Sequence, residues 1–300
     1  MSLESILNEK NKRLESVPLA FQTSLERQQK KILLNIQSEL SRLEMDGDRI
    51  AINSNNLKIV ANISDELKTI FYSEDYLKAV KEFASEFSIQ SELNLKLIKK
   101  TFGAVENPLA AKQYVDLAKR SAIDALVGAP ADKDFIRPIQ NILEQAVVNG
   151  SSFSETIDNI TSFVAGGDGK ESKILKYAKQ ITNDAFSIAD RSQTSILSDY
   201  LGSEWFYFSG TEVENTRCFC KERVGNIYHY KEIESWANGE NLGDCNIGNG
   251  KWAGEIEGTN ASTIYSYLGG YNCLHSLMPV SIDFVSDSDI ARAKKLGYIK

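Results

Sequence analysis

Leu201-Gly202-Ser203-Glu204-Trp205-Phe206-Tyr207-Phe208 decides how the chain is read, because its character changes there. Before it, apolar residues recur at helical spacing. At Gly202 that pattern stops, and four consecutive aromatics form a stretch suited to a pleated, half-buried surface. Ile227-Tyr228-His229-Tyr230 is a second stretch of the same kind, and glycines crowd between Gly239 and Gly270, which implies tight turns. The fold class this predicts is α+β: a long, mostly helical N-terminal region followed by a small C-terminal α+β domain that holds the Cys and His residues.

On the N-terminal side, residues 18–44 contain no glycine, and Phe21, Leu25, Ile32, Ile36, Leu40 and Leu43 fall on one helical face. Pro18 suits a first helical turn, where its missing N–H is no loss. The segment reads as an amphipathic helix that either packs on the chain's own helices or serves as a partner-binding arm. Met45-Asp46-Gly47-Asp48 breaks it. Helical patterns follow at 57–72, 76–88, 110–127, 134–149, 154–165 and 172–201, with Gly166-Gly167-Asp168-Gly169 as a hinge before the last. The predicted organisation is thus an arm at 1–45, a helical domain at 46–201 and the α+β domain at 202–300.

The 300 residues are 42% apolar and 25% charged, which excludes a disordered or collagen-like chain. The net charge is -7, and from Tyr200 onward Lys and Arg number 9 against 13 Asp and Glu, so no basic field draws nucleic acid to this part. The N-terminus lacks an apolar signal core, and no apolar run reaches the roughly 18 residues of a membrane span. The chain is expected in a reducing cytoplasm, without a membrane, where clustered Cys and His favour a metal site or free thiols over disulfides.

All four cysteines and both histidines lie between Tyr207 and Val280. Cys218-x-Cys220 and Cys273-x-His275 are two i, i+2 pairs; on strands each pair would face one way, giving four ligands for a structural zinc. His229 and Cys245 could replace an outer member. Free buried thiols, one disulfide, or a Cys–His nucleophile oriented by Asp244 are the other readings of the same residues. Glu214 and Arg217 form a natural intradomain ion pair, and a buried Arg191 could make a bidentate pair with an acidic loop. Trp236 and Trp252 read as anchors of a small core.

Taken together, residues 185–280 resemble the Mu F-like head morphogenesis family, minor head proteins of tailed bacteriophages. Arg191-Ser192-Gln193-Thr194 resembles that family's helical signature, Trp205–Phe208 its aromatic strand, and Glu214-Asn215-Thr216-Arg217 its acidic–Arg element. Cys220 stands three residues after that Arg, Gly225 fits the turn, and Asn272-Cys273-Leu274-His275 resembles the closing tetrapeptide, with Leu and His where the family carries Arg and Cys. The resemblance implies a non-enzymatic structural protein of the virion. It would associate with the portal and other head proteins at the capsid interior, passing through the host cytoplasm during assembly, with packaged DNA a secondary contact. Phe21, Leu25, Ile32 and Ile36 would then be the docking residues of the arm. A zinc- or thiol-dependent hydrolase or transferase effector, and an ejected internal or tail-proximal adaptor, are the competing functional classes.

Overall fold

The computed structural model describes residues 2–103, 106–167, 169 and 171–300; Asp168 of the expected hinge lies outside them. The helical part comprises α1 (Leu3–Leu40), α2 (Ser54–Phe71), α3 (Glu74–Phe102) and α4 (Leu109–Val127), with a small hairpin of β1 (Met45–Asp46) and β2 (Arg49–Ile50) after α1. A short α5 (Ala129–Ala131) leads through a π-turn at Asp132–Ile136 into α6 (Arg137–Val148), α7 (Phe153–Val164) and α8 (Lys173–Leu201). Beyond them come β3 (Trp205–Ser209), α9 (Cys218–Lys221), β4 (Ile227–His229), α10 (Tyr230–Ala237), α11 (Ile264–Tyr267), β5 (Ser276–Val280) and α12 (Asp287–Lys295). The α+β class is as the sequence predicts.

The transition at Gly202 has a local cause. Gly202 takes φ +60°, and the Gly202 and Ser203 amides donate back to Asp199 and Ser198, the paired bonds that close a helix on a left-handed residue.

The chain forms two compact units that cut across the predicted 1–45, 46–201 and 202–300 division. One comprises Met1–Val17, Ser85–Lys119 and Asn183–Lys300; the other comprises Pro18–Ala84 and Arg120–Thr182. The boundaries fall within α1, α3, α4 and α8, because the two ends of a long helix can enter different cores. Pro18 does not begin α1 but lies inside it, at the residue where the units divide.

In the second unit, Phe21, Leu25, Ile32 and Ile36 are 3%, 1%, 1% and 0% exposed. The Phe21 ring packs on Tyr76 and Phe83, and the Tyr76 hydroxyl donates to the Leu126 carbonyl at 2.8 Å. These residues are therefore core and not the docking face of an arm: the apolar stripe is satisfied within the chain.

The first unit is built on a three-stranded antiparallel sheet of order β4-β3-β5. β3 is covered on both faces, which explains its unbroken aromatic run. Phe206 and Phe208 join Phe219, Trp236 and Trp252 in one core, so the two tryptophans are anchors as expected. Tyr207 packs with Met278, Leu93 and Ile6, while Trp205 packs with Val285 and Ala293. Pro279 sits on β5, opposite Phe206 at the sheet edge, where a missing N–H costs no inner ladder bond.

His229 caps α10 through its ring, and its ring meets that of Trp205 edge-on. Burial lowers its pKa, with Lys231 acting in the same direction and Glu204 against it. Between that lowered value and about 6.5, the unfolded chain holds the extra proton, so stability falls as pH drops through this window. Urea midpoints measured across it should decline, and His229→Asn, which keeps a cap acceptor, should flatten the decline.

Candidate metal centre

Three of the predicted ligands meet beyond the ends of β3 and β5. Cys220 and Cys273 place their sulfurs 3.7 Å apart, and Cys273 Sγ lies 3.9 Å from His275 Nδ1. All three side chains are buried and within reach of a common ion. The arrangement can hold a metal.

Cys218 is not among them. It forms a disulfide with Cys245, 27 residues on. The reason is local: Cys218 and Cys220 lie on the helical turn α9 and not on a strand. Two residues along a helix rotate by about 200°, so the pair diverges, with Cys218 exposed and Cys220 buried. The four-ligand set of Cys218, Cys220, Cys273 and His275 is thereby corrected to three residues; of the alternative readings, one disulfide is present, and Cys220 and Cys273 are free. The disulfide closes a loop that contains β4 and α10. Cys218→Ser or Cys245→Ser should cost roughly 2 to 4 kcal/mol in chemical denaturation, the range for a closed loop of this length.

The predicted ion pairs are also replaced. Glu214 is exposed, and among the described residues no ion pair joins it to Arg217 or Arg191. Arg217 donates instead to the Gly269 carbonyl at 3.2 Å. Arg191 is buried as expected, but it binds no acidic loop. Its Nε donates to the Ser266 carbonyl at 2.6 Å, and its Nη1 to the carbonyls of Cys273 at 2.7 Å and His275 at 3.2 Å. A planar fork with several fixed donors suits carbonyls that converge from one bent segment.

The two thiols are inequivalent. The Cys220 pKa is pushed up, first because its S–H is bonded to Cys273 and then by burial. That of Cys273 is pulled down, chiefly by accepting from Cys220, with His275 and Arg191 also favouring the thiolate. The hydrogen bond between the sulfurs thus favours the proton on Cys220 and the negative charge on Cys273, on the side of the Arg191 guanidinium. Nearby Asp184 accepts from the Asn272 amide at 2.7 Å, and its own pKa is raised by burial.

Gly269 closes the centre. A Cβ there would lie 2.3 Å from Cys220 Sγ and 2.8 Å from Cys273 Sγ, so only glycine leaves the sulfurs room. Sequence reasoning does not single this residue out; a glycine pair three residues before a buried Cys is the available signal. His275 Nε2 and Arg191 Nη2 have no hydrogen-bond partner among the described residues.

No family model, curated protein or solved structure matches this chain.

Proposed function

We propose that this chain is a structural minor head protein of a tailed phage, with the portal and other head proteins as partners and packaged DNA as a secondary contact. It would reside at the capsid interior or portal vertex, after assembly in the host cytoplasm. Its Cys/His centre serves as a staple, with zinc as the structural metal, and not as a site of turnover.

One observation carries this reading. The separate pieces of sequence that resemble the Mu F-like family converge on one another: Arg191 of the helical signature holds the carbonyls of Cys273 and His275 in the closing tetrapeptide, and Cys220 abuts Cys273. The burial of all three donors favours a structural role over an exposed nucleophile. No helix among the described residues is long and apolar enough to cross a membrane.

The test is co-expression of the full chain with the product of the large gene immediately upstream, where a portal is expected, followed by purification of assembled particles. Co-purification in fixed stoichiometry supports the reading. A folded chain absent from particles, with an activity that Cys220→Ser abolishes without changing its melting, would replace it with the enzyme reading. Deleting residues 1–45 is not a usable control, because Ile6, Lys10 and Leu14 are buried within the first unit.

A further inference from the structure

We infer that Cys220, Cys273 and His275 form a three-donor thiolate–imidazole site for one Zn2+, its fourth position filled by a donor other than a Cys, His, Asp or Glu side chain of the described residues. This deepens the staple reading above, but metal binding itself stands or falls independently of the virion assignment.

Distance is the first argument. Two thiolates bound to tetrahedral zinc at about 2.3 Å each stand about 3.8 Å apart. The two sulfurs stand at 3.7 Å. The second argument is composition: two soft sulfurs and one imidazole select zinc over the hard cations Mg2+ and Ca2+. The third is selectivity within the chain. Cys218 and Cys245 are consumed by their own disulfide, and among the described residues no other Cys, His, Asp or Glu donor belongs to this cluster. The fourth donor is therefore a backbone carbonyl or a solvent oxygen. Finally, the space is reserved: Gly269 abuts both sulfurs with no Cβ to occupy it.

The test uses full-length, untagged protein, reduced just enough to keep the Cys220 and Cys273 thiols free. Elemental analysis should find one zinc per chain after gel filtration. X-ray absorption at the zinc edge should report two sulfurs and two lighter donors. Competition with a chromophoric chelator should show affinity falling by about 100-fold or more for Cys220→Ser and His275→Ala, since even outer-shell changes cost about 10- to 100-fold. Cys218→Ser should leave zinc in place. Gly269→Ala should weaken binding while both cysteines remain.

Should a variant fail to fold, chelation and re-addition of zinc on the wild-type chain gives the same answer. Recovery of one equivalent with the same absorption spectrum supports the site. Less than a tenth of an equivalent at zinc excess overturns it, as does a shell of three or four sulfurs or a loss of zinc in Cys218→Ser. Zinc bound as expected in a chain that never joins a particle would sink the virion reading and leave the site intact.

Discussion

Arg191→Met lowers the stability of the first unit by about 3 to 5 kcal/mol, and Arg191→Lys by less. Arg191 is 1% exposed, and its guanidinium donors satisfy the carbonyls of Ser266, Cys273 and His275. Methionine keeps much of the side-chain volume but leaves three acceptors without that donor, and each costs about 1 to 3 kcal/mol if it stays buried. Relief from desolvating a cation offsets part of this. Lysine retains the charge but cannot reach carbonyls on both sides of the bend, so one bond survives. Against a total of about 5 to 15 kcal/mol for a typical domain, the loss is a large fraction.

The measurement is convenient because Trp205, Trp236 and Trp252 are the chain's three tryptophans and all lie in the first unit. Urea unfolding followed by tryptophan fluorescence therefore reports on that unit alone. A shift of the midpoint equivalent to less than about 1 kcal/mol would mean the carbonyls find other donors and that Arg191 is not the clamp. The same variant should also bind zinc more weakly, because the segment it releases carries two of the three donors.

Much of the fold is legible in the sequence, for identifiable reasons. The helices α2, α4, α6, α7 and α8 follow from apolar periodicity, and their limits agree with the predicted stretches within a few residues; α3 runs on to Phe102, and the short α5 corresponds to no predicted stretch. β3 and β4 are legible from their aromatic runs. β5 is not, because Pro279 argues against a strand and its neighbours carry no alternation. Residues 3–17 of α1 fall inside the predicted helical arm at 1–45, but their place in a core is hidden for a different reason. Pro18 looks like a beginning, and the stripe Ile6, Lys10, Leu14 places a lysine where the core pattern needs an apolar residue.

Half of the site is legible in the same sense. Cys220, Cys273 and His275 are identifiable as a cluster, but the role of Cys218 depends on whether Cys218-Phe219-Cys220 is strand or helix, and four residues show no period. The Arg191 contacts are backbone carbonyls, which every residue possesses, so no side-chain pattern could announce them.

The lysine that hides the start of α1 leads to the other large effect. Lys10 Nζ donates to Asp190 at 2.5 Å and to Ser276 Oγ at 2.9 Å, and both charged side chains are 0% exposed. Asp190 also accepts from Gln90 and Asn94, each at 3.0 Å. Burial lowers the Lys10 pKa, and the Asp190 carboxylate works against that shift. Removing either partner strands the other. Breaking a buried ion pair by removing one partner leaves an uncompensated charge, so Lys10→Met and Asp190→Asn should each destabilise by about 3 to 4 kcal/mol. Lys10→Met should be the milder, because Asp190 keeps its two amide donors. Combining them removes both charges, and the side-chain amide that replaces the carboxylate can still accept from Gln90 or Asn94, so the double variant should recover about 2 to 3 kcal/mol of the summed loss. If the two losses instead add to within about 0.5 kcal/mol, Lys10 is held by its hydrocarbon stem and the pair is not an energetic unit. Coupling of the expected size would establish that the first turns of α1 are fastened by charge to the helix that carries Arg191. The N-terminal segment is then a structural part of the unit that carries Cys220, Cys273 and His275, fastened into its fold and not a detachable arm.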